Sequence, residues 1–224
     1  MLTCTEPPPL KTARYQPRNV RPRTFHSDPK FLRILVNFLG IVITVGGLHG
    51  TGKSTYAKAL SEDLGLRHIS AGDLFRAMAK TRNITLGELN DLAERDLTID
   101  KAIDERTKEE ASKGDVILDG QLAAWMVKDK SDLNILLIAP REVRLGRIAT
   151  RDAMSPEAAE KRTLEREEVE KERYKRYYGM DISDPSIYDL IVDTNLHPLE
   201  EMTKILKKIV RDYIGEITKK RKRK

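Results

Sequence analysis

The stretch from residue 41 to residue 54 reads IVITVGGLHGTGKS, and it decides the fold. Its first five residues are apolar or β-branched, which is typical of a strand buried on both faces of a parallel sheet. The part from Gly47 to Ser54 matches the pattern G-x-x-x-x-G-K-[ST] at every fixed position. A buried strand followed by this loop and by an amphipathic helix predicts a phosphate-binding loop in an α/β protein.

The residue types of this loop suit a nucleoside triphosphate. Glycines let the backbone point successive N–H groups at phosphate oxygens, in conformations that other residues adopt only with strain. Lys53 supplies a cation for the β- and γ-phosphates, and the Ser54 hydroxyl is a candidate ligand for Mg²⁺, the predicted cofactor. We interpret His49 as a filler of the loop and not as a catalyst. The predicted ATP-binding residues are Gly47, Leu48, His49, Gly50, Thr51, Gly52, Lys53, Ser54 and Thr55.

Predicted strands and helices alternate along the rest of the chain. Besides the first strand, strands are predicted at residues 67–69, 115–120, 133–138 and 188–192. Helices are predicted at residues 54–64, from 71 onward, across a region from Thr85 to 113, and at 142–151, 156–178 and 200–213. This alternation predicts an α/β fold with a parallel sheet that helices cover on both faces.

Composition and cysteine content exclude several classes of protein. The chain has 224 residues, of which 39% are hydrophobic and 34% charged, a balance that fits a globular domain and excludes a wholly disordered chain. Its single cysteine, Cys4, excludes an intrachain disulfide and a cysteine-based zinc cluster, and it fits a cytoplasmic location.

The net charge of +6 comes from the two ends of the chain. Residues 1–40 and residues 216–224 each carry +5, whereas residues 41–215 hold 28 basic and 32 acidic residues, or −4. Basic charge placed in this way says little about the folded part, so no stable nucleic-acid partner is predicted. The most apolar stretch, residues 31–45, is interrupted by an arginine and an asparagine and is shorter than the roughly 20 residues of a membrane span, so no membrane association is predicted.

These features divide the chain into three parts. Residues 1–40, which are basic and rich in proline, are predicted to form a disordered extension that stability and activity do not need. Residues 41–215 are predicted to form the folded domain. Residues 216–224 are predicted to be a basic tail, frayed and solvated from Lys219 onward.

Two arginine-rich segments offer further groups for anions. In each segment the spacing of three arginines matches helical turns, so that each set shares one face of a predicted helix. Two interpretations stay open: the arginines neutralise phosphates from a mobile lid, or they pair with neighbouring glutamates on a solvated face. The two sets are Arg144, Arg147 and Arg151, and then Arg162, Arg166 and Arg173.

Asp119 closes the predicted strand at residues 115–120, where a carboxylate can face a Mg²⁺ ion bound at the loop. The alternative is an ordinary Asp-Gly turn at the end of a strand. The guanine-reading pattern N-K-x-D is absent from the sequence, which argues against a GTPase.

Four separated motifs resemble the nucleoside monophosphate kinases, in particular the archaeal-type cytidylate kinases. They are residues 48–55, 69–76, 118–120 and 188–194. The resemblance extends from about Ile41 to Tyr213. It implies a P-loop kinase fold with a five-stranded parallel sheet, a helical insert near residues 71–113 that binds the monophosphate, and a short lid near residues 152–162.

The resemblance also implies roles for particular residues. The acceptor nucleotide would contact Ser70, Asp73, Arg76, Asp119, Gly120, Gln121 and Glu170. The catalytic cations would be Lys53, Arg147, Arg151, Arg166 and Arg173, and the metal ligands would be Ser54 and Asp119. This chain departs from many relatives at Gln121, where they carry an arginine, so phosphate binding would depend more on Arg76 and the lid.

The resulting expectation is transfer of the ATP γ-phosphate to CMP or dCMP by a monomeric enzyme whose partners are these small nucleotides. The motif D-G-F-P-R of adenylate kinases is absent, which argues against AMP as the main acceptor. Two alternatives stay open. One is a kinase of the same fold that acts on AMP or UMP, and the other is an ATP-dependent, RNA-associated protein that uses its basic ends.

Overall fold

A computed structural model describes residues 40–221, and within them five parallel strands form one sheet. The strand order is β2-β3-β1-β4-β5, so β1 lies at the centre. In register, Val45 pairs with Asp119 of β3 and Gly46 with Leu136 of β4, which brings the carboxyl ends of the central strands to one edge. The strands are β1 Val42–Gly46, β2 Arg67–Ser70, β3 Val116–Asp119, β4 Leu133–Ile138 and β5 Leu190–Asp193.

Eight α-helices connect and cover these strands within the described residues. Gly65 closes α1 in a left-handed conformation with φ 71°, so this helix ends at residue 64 as predicted. Thr85 and Glu88 form a capping box at the start of α3, in which each side chain accepts a backbone N–H of the other residue. The helices are α1 Lys53–Leu64, α2 Ala71–Thr81, α3 Leu86–Ala93, α4 Leu97–Ser112, α5 Ala123–Met126, α6 Arg141–Asp152, α7 Pro156–Tyr178 and α8 Leu199–Arg221, and a 3₁₀ turn spans Pro185–Ile187.

Hydrophobic clusters hold helices on both faces of the sheet, as the alternation of strands and helices predicts. On one face, Ile43 and Leu137 pack with Leu60 of α1 and Leu206 of α8. On the other face, side chains of β1 and β3 pack with α4 and α5. The neighbouring residues Val42 and Ile43 of β1 therefore belong to opposite cores, which explains why the strand is apolar or β-branched on both faces.

Three helices between β2 and β3 build a small core of their own. Phe75 of α2, Leu89 of α3 and Ile103 of α4 belong to one buried cluster. The helical region predicted from Thr85 to residue 113 is two helices, because Asp96 caps the start of α4 by accepting the backbone N–H of Thr98.

Helix α8 is longer than the sequence predicts, and the expectation of a frayed tail from Lys219 is wrong up to Arg221. Ile214 and Thr218 are buried, so the stripe of every fourth residue that begins at Met202 continues past Tyr213. The tail residues 222–224 and the predicted extension at 1–39 lie outside the described residues. Within residues 40–221, no helix is both long and apolar enough to cross a membrane.

Candidate active site

The loop between β1 and α1 has the shape of a phosphate cradle. Gly47 and Gly50 have φ angles of 136° and 78°, which glycine adopts without strain. A side chain at Gly50 would also collide with the backbone oxygen of Arg144. The loop is therefore restricted to glycine at these points both by its conformation and by the helix α6 beside it.

Neighbouring elements hold this loop from the outside. Arg144 donates to the backbone oxygen of His49 at 2.7 Å, and its guanidinium also pairs with Glu167 at 2.6 Å. Thr194, just after β5, donates its hydroxyl to the backbone oxygen of Thr51 at 3.1 Å. Because two helices and a strand end contact it, the loop is preorganised before any nucleotide binds.

Lys53 stands at the first position of α1, where the loop meets the helix. Its ammonium donates to the backbone oxygen of Leu48 at 3.0 Å. Partial removal from water lowers the pKa of Lys53 to about 8, although the carboxylates of Asp119 and Glu170 act in the opposite direction. A poorly solvated cation at the mouth of the loop is placed to bind phosphate oxygens strongly.

Asp119 lies at the end of β3 beside this loop and is nearly buried, with 3% of its surface exposed. Its Oδ1 accepts the hydroxyls of Ser54 and Ser70, both at 3.2 Å, and its Oδ2 lies 2.6 Å from His68 Nε2. The predicted pair of metal ligands, Ser54 and Asp119, is therefore brought together. The contact with His68 has no local signal in the sequence.

The oxygen donors of Ser54 and Asp119 fit a hard cation such as Mg²⁺, which takes few protein ligands when phosphates supply others. Among residues 40–221, His, Cys, Asp and Glu side chains form no group of three or more suited to a metal ion.

A cleft of about 1020 Å³ opens in front of the loop and extends to the insert formed by α2, α3 and α4. The loop and α6 contribute to its lining, and the insert contributes apolar and acidic side chains. Seven cationic side chains line it: Lys53, Arg76, Arg147, Arg151, Arg162, Arg166 and Arg173. This concentration of cations within a folded part of net charge −4 indicates a ligand with several negative charges.

Glu170 links α7, the helix to which it belongs, to the phosphate-binding loop. Its carboxylate accepts from His49 at 2.8 Å, from Gln121 at 2.8 Å and from Arg166 at 2.7 Å. Burial by itself would raise the pKa of Glu170, but the contacts with His49 and Arg166 outweigh it and lower the pKa to about 2. His49 thus connects the loop to α7, a role that its position in the motif does not predict.

Arg173, one turn further along α7, reaches the insert. It is 2% exposed and contacts the side-chain oxygen of Asn90 at 3.2 Å and Asp100 at 2.9 Å. Beside them, the Tyr178 hydroxyl donates to Asp104. The sequence analysis missed both aspartates, and their positions four apart on a predicted helix are the only signal that could have indicated a shared face.

The remaining predicted residues occupy different surroundings. Arg147 lines the cleft and donates to the hydroxyl of Thr194 at 2.9 Å. Arg151 pairs with the adjacent Asp152 at 2.7 Å, and Arg76 pairs with the exposed Asp73 at 2.6 Å at the rim. Of the two arginine sets, Arg147, Arg151, Arg162, Arg166 and Arg173 line the cleft, and both interpretations of these cations stay open.

The fold and the cleft define a P-loop kinase, and the comparisons narrow this class. A shikimate kinase from Bacteroides thetaiotaomicron has the same fold with a TM-score of 0.53 at 15% identity, covering 76% of this chain and 98% of that one. A cytidylate kinase from Aeropyrum pernix is 46% identical over 162 residues, 72% of this chain and 94% of the relative. Another from Staphylothermus marinus is 42% identical over 176 residues, 79% of this chain and 99% of the relative. The model of the cytidylate kinase-like family matches residues 42–196, and the chain belongs to this family.

Proposed function

We propose that this protein transfers the γ-phosphate of ATP to CMP or dCMP, giving CDP or dCDP and ADP. The observation that carries the proposal is that the phosphate-binding loop and the insert line one and the same cleft. Such a cleft offers one site for a donor and one for an acceptor, with the cations between them. Relatives that bear the name cytidylate kinase supply the identity of the acceptor.

The donor side of the proposal rests on the loop, on α1 and on α6. The loop N–H groups and Lys53 bind the β- and γ-phosphates, and Arg147 and Arg151 approach them from α6. Ser54 and Asp119 would hold Mg²⁺, which when bound neutralises charge on the phosphates. Lys53 then stabilises the charge that builds up on the transferred group.

The acceptor side rests on β2, the insert and α7. Ser70, Asp73 and Arg76 at the start of α2, together with Gly120 and Gln121 after β3, would hold the monophosphate. Arg166, Glu170 and Arg173 would complete its site from α7. The acceptor phosphate has a second pKa of about 6 and is largely dianionic at pH 7, so the reaction needs no general base, and catalysis consists of positioning and charge stabilisation.

The corner between α6 and α7 acts in this proposal as the lid near residues 152–162. Closing it over both nucleotides would bring its arginines to the phosphates and exclude water, which prevents idle hydrolysis of ATP. The enzyme works as a monomer in the cytoplasm, since one chain supplies all of the proposed groups and a chain with a single cysteine suits a reducing compartment.

The proposal is tested by the stoichiometry of the products. With ATP, CMP and Mg²⁺, ADP and CDP should appear in equal amounts, and removal of the metal with EDTA should stop both. ADP formation that proceeds at the same rate without CMP would contradict transfer to this acceptor.

A further inference from the structure

The wall of the insert that faces the cleft carries two buried acids whose role the proposed transfer does not define. Asp100 and Asp104 lie one turn apart on α4 and are 7% and 8% exposed. Both line the cleft that the phosphate-binding loop also lines. Burial of carboxylates is costly unless partners satisfy them, so the contacts of each acid decide what it can do.

The two acids differ in how fully they are satisfied. Asp104 accepts the hydroxyl of Tyr178. Asp100 Oδ2 lies 2.9 Å from Arg173 Nε, but the two groups are not aligned for a hydrogen bond, and both atoms are buried without any hydrogen-bond partner. Arg173 therefore holds Asp100 by charge and leaves its Oδ2 without a hydrogen-bond donor in a residue that lines the cleft.

The surroundings of Asp100 suit a flat ring. Phe75 of α2, Leu86 of α3 and Ile103 of α4 are apolar and line the same part of the cleft. Among the cations that line the cleft, Lys53 belongs to the loop, Arg147 donates to the backbone oxygen of Gly50, and Arg166 contacts Glu170, which in turn contacts His49. A nucleotide whose phosphate meets these cations therefore directs its base toward the insert, where apolar side chains line the cleft together with Asp100, the buried acid whose Oδ2 has no hydrogen-bond donor.

We infer that Asp100 is a specificity-determining residue for the base, and that its carboxylate accepts a hydrogen bond from the exocyclic amino group of cytosine. This inference rests on the proposed function, because it concerns the acceptor of that reaction. Uracil carries a carbonyl oxygen at the same position. This oxygen cannot donate to Asp100, and it would place two acceptors against each other in a buried site.

The protonation of Asp100 supports this assignment. Burial raises the pKa of Asp100 to about 6 and the neighbouring Asp104 and Glu170 add to the effect, while Arg173 opposes it. The titratable groups that face Asp100 are Asp104 on its own helix and Glu170, Arg173, Tyr174 and Tyr178 on α7. Above pH 6 the group is an acceptor, and below it the acid form can donate to the carbonyl oxygen of uracil.

The direct test compares kcat/KM for CMP and for UMP in the wild type, in Asp100→Asn and in Asp104→Asn. Loss of a buried hydrogen bond of this kind changes selectivity by about ten- to a hundredfold. The amide in Asp100→Asn can accept from cytosine or donate to uracil, so the CMP/UMP ratio should fall by about that factor. The matched control Asp104→Asn removes the same charge one turn away and should keep the wild-type ratio. An unchanged ratio in Asp100→Asn would overturn the inference.

A second measurement needs no variant and decides the matter if Asp100→Asn does not fold. In the wild type, the CMP/UMP ratio of kcat/KM should fall as the pH is lowered from 7.5 through about 6, because kcat/KM reports the free enzyme. Titration of the acceptor phosphate is common to both substrates and cancels in the ratio. A ratio that stays constant down to pH 5.5 would overturn the inference.

The two levels of the proposal fail in different ways. If CMP is phosphorylated and UMP serves equally well, the inference about Asp100 fails while phosphoryl transfer to CMP stands. If CMP is not phosphorylated at all, the proposed function itself fails.

Discussion

Lys53 is the cation that the proposed donor site depends on most. Lys53→Ala removes a cation from the poorly solvated mouth of the loop, so we expect kcat to fall by about 10²- to 10³-fold. The fold should persist, because the ammonium makes its one hydrogen bond to a loop carbonyl at 3.0 Å and belongs to no core cluster. Steady-state kinetics and thermal unfolding followed by circular dichroism give the two quantities.

The matched control for this variant is Lys58→Ala. Lys58 lies on the same helix, α1, and is exposed. Its removal should leave both kcat and the melting temperature unchanged. Near-normal turnover in Lys53→Ala would contradict the assignment of the loop.

Arg166 supplies the corresponding test for the lid side. Its contact with Glu170 places it on α7 at the cleft, so the cation acts on the phosphates when both substrates are bound. Arg166→Ala should therefore lower kcat more than it weakens ATP binding, as measured by steady-state kinetics and by titration calorimetry. Lys171→Ala, an exposed cation on the same helix, is the control. A weaker ATP affinity with unchanged kcat would assign Arg166 to the donor site instead.

The roles of single residues were predictable where a functional motif is formed by consecutive residues. The loop from Gly47 to Ser54 is a local pattern, and its conformation and neighbours follow from glycine and from the strand before it. The contact between His49 and Glu170 joins residues 121 positions apart, and Asp100 meets Arg173 across two different helices. No spacing rule reports such pairs, because they depend on how helices pack.

Helix α8 carries the clearest test at the scale of elements. Ile214 is 1% exposed and belongs to the main core, beyond the point where the sequence predicts the helix to end. Ile214→Ala should destabilise the protein by about 2–5 kcal/mol, through lost burial and the cavity left behind. Urea unfolding at equilibrium measures this free energy.

The control for this prediction lies on the same helix. Ile209 is 40% exposed, so Ile209→Ala removes the same atoms largely from solvent and should change the free energy of unfolding little. Equal effects of the two variants would contradict the packing of α8 against the sheet.

Elements were predictable where periodicity is strong. The strand at residues 133–138 and the helix at residues 156–178 have the bounds that the sequence predicts. The division between α3 and α4 was not predicted, because no glycine or proline lies at residues 94–96. In the sequence alone, Asp96 cannot be told from an acidic residue within a continuous helix. The length of α8 was not predicted, because the run of basic residues from Lys219 suggests a solvated tail. The stripe of buried residues at every fourth position nevertheless continues to Thr218.

At the scale of the whole molecule, one cleft is lined by the phosphate-binding loop, the insert, α6 and α7, which are separate segments of the sequence. The folded part carries a net charge of −4, yet seven cations line the cleft, so the anionic ligand meets a positive site within an acidic surface. This distribution favours small polyanions over extended nucleic acid, whose binding needs a continuous basic surface.

The measurement that tests the central claim most directly is a panel of monophosphates with ATP as donor. The enzyme should rank CMP and dCMP first in kcat/KM, with UMP about ten- to a hundredfold lower because its base presents the wrong hydrogen-bonding edge. AMP should also be well behind, since its base is larger as well as different at the edge. AMP or UMP as the best acceptor would contradict the assignment of the acceptor and leave the kinase standing, whereas phosphorylation of none of them would contradict the account as a whole.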